Sequence, residues 1–212
     1  MDQTKIDLSH QSQTAHEFGV SYFLALDIPA LVADAIEDRV QSIAREVGDG
    51  LYVQPARSLH ITALDFIDPI IDPQKFGYAS KAELWAKIGP QCQAAIERAL
   101  KNVTPFTITF DELRVYDAAV ILAGHDDGQL EKIRHSISQE IAGLQLPRTK
   151  QPPQIIHTTV ARYTRVMPLQ PVRELAAAEP LEFKLQVTAL HLRNQLKANM
   201  LEYTDLKVYD LK

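Results

Sequence analysis

Two stretches of the chain, SLHITALDF at 58–66 and IIHTTVARY at 155–163, agree position by position. Leu59 matches Ile156, His60 matches His157, Thr62 matches Thr159, Ala63 matches Val160, and Phe66 matches Tyr163. Each stretch reads as a β-strand that carries a polar pair two residues apart within an apolar run. An apolar β-branched residue would suit a sheet better than histidine at these places. Strand parity puts His60, Thr62, Leu64 and Phe66 on one face, and His157, Thr159, Ala161 and Tyr163 on one face of the other strand. A motif repeated 97 positions apart restricts the fold to two halves built on one plan.

The flanking segments repeat the plan. VSYFLALDI (20–28) is β-rich and stops at Pro29, and an amphipathic helix follows at 30–47 with Leu31, Ala35, Ile36, Val40 and Ile43 on its apolar stripe. Gly48 and Gly50 end it. After the first motif strand comes a long Pro- and Gly-punctuated loop at 68–80, then a helix at 81–101. Strands are expected at 106–116 and 119–124, and a third helix at 127–144. The second motif strand, a short helix at 169–178 and two closing strands, LEFKLQVTALHLRN and MLEYTDLKVYDL, complete the chain. Several strands succeed one another through short turns, which excludes a doubly wound parallel sheet. The expected architecture is α+β: bilobal, with pseudo-twofold duplicated antiparallel sheets, helices packed outside and a central cleft. No Gly- or Ser-rich linker separates the halves, so 18–212 is read as a single domain after a flexible polar tail at 1–17.

Paired histidines suit phosphodiester hydrolysis. One neutral imidazole takes a proton from the attacking water, and one imidazolium gives a proton to the leaving alkoxide. An unperturbed pKa near 6.5 makes both forms available near neutrality. A threonine hydroxyl two residues on, aimed the same way, donates to a non-bridging phosphate oxygen as charge builds there. His60, Thr62, His157 and Thr159 are therefore the catalytic candidates, with no metal and no cofactor required.

HITA and HTTV at this separation, with an opening YFLALD strand and HTTVAR in the second half, resemble the two-histidine phosphoesterase superfamily. The bacterial 2′-5′ RNA ligase-like and RNA 2′,3′-cyclic phosphodiesterase branch is the nearest match, over nearly the whole chain from about Ser21. The resemblance implies metal-independent hydrolysis of 2′,3′-cyclic phosphates or 2′-5′ linkages, and in some members RNA-end ligation. It also implies that Arg162 contacts phosphate. Strand parity would turn Arg162 away from the cleft, and twist or a bulge at the strand end would bring it back. Thr158 departs from the family pattern, being polar where an apolar residue is usual, and the 68–80 loop is longer than usual.

Aromatic candidates for substrate contact are Phe23 and Tyr163, although such rings in strands more often serve a core. The formal net charge of −5 argues against wrapping duplex DNA. Yet 141–173 contains no Asp or Glu, where the chain average would give about four, and holds Arg148, Lys150, Arg162, Arg165 and Arg173. That stretch is a candidate positive lobe around His157. His191 alternates with leucines and is read as outward-facing, while His125 and its two following aspartates are read as a helix cap. The lone Cys92 is expected to be a buried hydrophobe. The absence of a disulfide pair, of a long apolar run and of a leader pattern suggests a cytoplasmic protein without membrane contact, and a monomer is expected. The expected partner is a small nucleotide or an RNA-end phosphate ester. Hydrolysis of 2′-5′ oligoadenylate or cyclic dinucleotide signals, and a non-hydrolysing nucleotide-binding module, are the competing readings.

Overall fold

A computed structural model describes residues 3–7, 20–144, 146 and 154–212. The first sheet holds four strands in the order β3-β1-β8-β9: His60–Ile67, Ser21–Asp27, Ala189–Lys197 and Glu202–Asp210. The second holds five in the order β2-β6-β5-β4-β7: Leu51–Val53, Ile156–Tyr163, Ala119–His125, Phe106–Val115 and Phe183–Val187. Every pairing is antiparallel. The α+β class and the duplicated antiparallel sheets are as the sequence indicated.

Each half begins as strand, helix, motif strand. In the first, β1 leads through α1 (Ala30–Val47) to β3, which pairs with β1. In the second, β5 leads through α3 (Gln129–Glu140) to β6, which pairs with β5. A helix follows each motif strand, α2 (Lys81–Leu100) and α4 (Gln170–Ala178). The next long strand then crosses over. β4 leaves the first half and pairs with β5, and β8 leaves the second half and pairs with β1. This exchange explains the missing linker, because neither sheet is complete without the other half's strand.

Local chemistry sets the helices. α1 buries Ala33, Ile36, Val40 and Ile43, a spacing of three and four that makes one apolar stripe, and it ends at Gly48 with φ of 74°. Leu31, assigned to that stripe from the sequence, is exposed instead. Ser80 caps α2 by accepting from the Glu83 N–H, while the Glu83 carboxylate accepts from Ala79 N–H. Trp85 on α2 stacks on Tyr22 with centroids 4.6 Å apart, and lies 6.0 Å from Phe66. One continuous apolar cluster joins side chains of both sheets and all four helices.

Three expectations need correction. LEFKLQVTALHLRN is two strands, not one: it breaks at Thr188, and its parts enter different sheets as β7 and β8. The third helix ends at Glu140, although Ile141 beyond it is buried and prolongs the helical spacing. Part of the supposed free tail is docked. Gln3 bridges Pro168, Thr4 N–H donates to Met167 O, and Asp7 N–H donates to Tyr163 O. Among the described residues no helix is long and apolar enough to cross a membrane.

Candidate active site

The two motif strands carry the same irregularity at the same place. On β3, Thr62 faces Ala25 while Leu64 faces Leu24, so Ala63 is the extra residue of a β-bulge. On β6, Thr159 faces Ile121 while Ala161 faces Val120, so Val160 is the extra residue. Both lie three positions after the histidine. Before the bulge the side chains alternate as parity predicts: His60 and Thr62 are half-buried toward the cleft, while Ile61 and Ala63 are buried in the core. His157 and Thr159 follow the same rule against Thr158 and Val160.

Beyond the bulge, the faces exchange. Arg162 rejoins the face of His157 and Thr159 and is half-buried there. Tyr163 turns into the core and is fully buried, as is Phe66 in the first half. Tyr163 is therefore not available to a substrate, and simple alternation misplaced Leu64, Phe66, Ala161 and Tyr163 alike. Asp65 occupies in the first half the place that Arg162 holds in the second.

Different groups secure the two bulges. In the first, Arg134 of α3 reaches under β3, where its Nε donates to Ala63 O at 2.8 Å and its Nη2 to Thr62 O at 2.9 Å. In the second, the main chain just after β2 supplies the donor, Gln54 N–H to Val160 O at 2.9 Å. Thr158, the polar departure noted in the sequence, is buried, and its hydroxyl has no hydrogen-bond partner among the described residues.

Each histidine places Nδ1 against the backbone carbonyl two residues before it, Ser58 O at 2.8 Å for His60 and Ile155 O at 3.4 Å for His157. A carbonyl oxygen only accepts, so Nδ1 is the protonated nitrogen of each neutral ring and Nε2 keeps its lone pair. Burial pushes His60 down to about 4. The Ser58 carbonyl and the Asp27 carboxylate oppose this, and the Arg193 charge adds to it. His157 is also lowered by burial, assisted by the Arg134 guanidinium. A charge on His157 also lowers His60.

Phe23 lies on the cleft face of β1, with its ring centroid 5.5 Å from that of His60. It is buried in a small cluster with Ala25 and Met200, so it supports the imidazole and offers no open face for a base.

A charged ring that the sequence did not reveal lies beside His60. His191 sits between two carboxylates, Nε2 at 3.2 Å from Asp27 and Nδ1 at 3.2 Å from Asp205. Arg193, fully buried, pairs with the same two carboxylates and lies 4.4 Å from the centroid of the Tyr203 ring. His191 therefore points inward, contrary to expectation. Leu190 and Leu192, its neighbours, take the core side, because the helices cover the outer face of the sheet. Asp27 faces His60 across the β1–β3 pair.

In the second half, Arg162 Nη1 is 2.6 Å from the Asp7 carboxylate. Arg148 and Lys150 of the acid-free stretch lie outside the described residues. Asp126, rather than His125, caps α3, accepting from the N–H groups of Gly128 and Leu130. Cys92 is buried, as expected, and forms no disulfide. No group of three or more His, Cys, Asp or Glu side chains among the described residues is arranged to hold a metal ion.

Two duplicated halves, each presenting a His-x-Thr strand to one cleft, define the two-histidine phosphoesterase class. Residues 32–199 match the model of the 2′-5′ RNA ligase superfamily, and the chain belongs to that superfamily. Among solved structures, a protein of Thermus thermophilus shares 19% identity at a TM-score of 0.63, covering 90% of this chain and 97% of its own. E. coli LigT complexed with 3′-AMP shares 19% identity at a TM-score of 0.59, covering 91% and 98%. The MHV ns2 PDE domain shares 15% identity at a TM-score of 0.50, covering 82% and 97%. No curated protein sequence matches the chain. Membership of the superfamily supports phosphoesterase activity in the general sense.

Proposed function

We propose that the protein is a metal-independent phosphodiesterase that hydrolyses 2′,3′-cyclic phosphates or 2′-5′ linkages of nucleotides or RNA ends. The observation that carries this reading is the matched pair of motif strands, each with Nδ1 tied to its own backbone and Nε2 left for proton transfer. His60 is the general base. It is held by the shorter carbonyl contact, and burial keeps it neutral. Its Nε2 takes the proton of the attacking water. His157 is the general acid and gives its proton to the leaving sugar oxygen. The hydroxyls of Thr62 and Thr159 donate to the non-bridging oxygens, which gain charge in the transition state. Arg162 holds the phosphate or an adjoining one. LigT has been solved with 3′-AMP, NADP+, phosphate and ATP, which supports a nucleotide-sized ester as the ligand class here.

The purified chain should be incubated with nucleoside 2′,3′-cyclic phosphates and with 2′-5′ and 3′-5′ dinucleotides, and the products separated by chromatography. Turnover of the cyclic phosphates or 2′-5′ dinucleotides, with 3′-5′ dinucleotides left intact, is the expected result. Binding of these compounds without any turnover would instead assign the cleft to a nucleotide-binding module.

A further inference from the structure

The acid-free stretch around His157 receives its carboxylate from 155 positions away. Residues 3–7 run beside the end of β6 and the segment after it, and several contacts fix their register. Thr4 N–H donates to Met167 O at 3.1 Å, and the Thr4 hydroxyl donates to Arg165 O and accepts from Met167 N–H, both at 2.9 Å. Lys5 N–H donates to Asp117 O, and its ammonium lies 2.6 Å from the Asp117 carboxylate. Asp7 N–H donates to Tyr163 O at 2.9 Å, which brings its carboxylate to Arg162 Nη1. Only 25% of the Arg162 side chain and 27% of the Asp7 side chain are exposed. Arg162 Nε, which forms the other donor edge of the guanidinium with Nη2, is buried without a hydrogen-bond partner among the described residues, so the Nη1–Nη2 edge is the one a ligand can reach.

A guanidinium binds phosphate best through two parallel N–H donors. Here Nη1, one of the two donors of the reachable Nη1–Nη2 edge, is already held by a carboxylate. We infer that Asp7 is a built-in competitor for the phosphate subsite: residues 3–7 hold Arg162 through a carboxylate that an incoming phosphate must displace. The inference rests on the reading of Arg162 as a phosphate contact. A phosphate arriving beside the Asp7 carboxylate meets like charge at close range in a partly desolvated place, where screening is weak. Phosphate and the docked segment therefore oppose each other, and by linkage each weakens the other by the same factor.

The test uses inorganic phosphate as the probe and the full-length chain, with affinity measured by calorimetry. Asp7→Asn keeps the shape and removes the charge, and it should tighten phosphate binding about five- to tenfold. Arg162→Ala should weaken binding, and in that background Asp7→Asn should change nothing further. In the unaltered protein, hydrogen exchange at the Thr4, Lys5 and Asp7 amides should quicken when phosphate saturates the site, a readout that needs no variant to fold. Unchanged or weaker phosphate binding in Asp7→Asn, with Arg162→Ala still harmful, would overturn the competitor alone. Phosphate binding indifferent to both substitutions would instead remove Arg162 from the phosphate site and leave the histidine pair untouched.

Discussion

The two half-sites share a motif, a bulge and a histidine–carbonyl contact, yet they differ in almost everything around these. The His60 half is internally neutralised: its ring lies against Phe23, and the nearby Arg193 is paired with Asp27 and Asp205. The His157 half presents an arginine at its fifth position, where the His60 half presents Asp65. One bulge is secured by a buried side chain and the other by the main chain. In the proposed mechanism, duplication supplied two equivalent proton carriers, and their surroundings make His60 the base and set Arg162 beside His157 to hold phosphate.

Removing either histidine is the most severe way to test this division of labour. His60→Ala and His157→Ala should each lower kcat/KM about 10²- to 10⁴-fold. The double variant should lose far less than the product, because the pair acts as a unit. Binding of a non-hydrolysable analogue should persist in both, since the threonines remain. Full activity in a folded single variant would end the acid–base reading.

Arg134 distinguishes the two bulges. Arg134→Ala removes both donors beneath Thr62 and Ala63 and should cost about 3 kcal/mol of stability in denaturant unfolding. Arg134→Lys should recover part of it. The β6 bulge is tied by the Gln54 main-chain N–H, so Gln54→Ala should leave that hydrogen bond in place.

The pH profile separates the two rings. The base must be neutral, so activity should fall as pH drops through the His60 value near 4. The acid must be protonated, so activity should fall again as pH rises through the His157 value, which lies below its ordinary 6.5. The product is a narrow bell on the acid side of neutrality, with limbs that belong to the coupled pair. Stability follows the same shifts. Both rings have depressed folded-state values, so the unfolded chain binds more protons between pH 6.5 and about 4, and stability declines as pH falls through that window. His60→Ala should flatten most of that decline, and an unaltered slope would contradict the burial of His60.

Arg162→Ala should raise KM about tenfold and leave kcat within a few-fold, the pattern of a uniform binding contact. A collapse of kcat would move Arg162 into the transition state. The smallest effect should come from chelation: EDTA should leave the rate unchanged, because the proposed steps pass through imidazole and hydroxyl groups alone. Loss of activity restored by Zn²⁺ would replace that mechanism.

The sequence by itself determined the duplicated plan, the α+β class and the four His and Thr side chains that face the cleft. These follow from local rules, strand alternation and helical spacing, which act over a few residues and leave their period in the text. It did not show the exchange of β4 and β8. LEFKLQVTALHLRN alternates without a Gly or Pro, and the break at Thr188 arises because its two parts complete different sheets. Nor could alternation register the bulges, since a single unpaired residue exists only relative to the partner strand. That one residue decided which side chain is in the site: it turned Arg162 toward the cleft and Tyr163 into the core. Asp7, Arg134 and the Asp27–His191–Arg193–Asp205 ring were decided by tertiary structure as well. Their partners lie between 12 and 166 positions apart in the chain, and an ion pair across such distances forms only after the backbone has brought the two charges together.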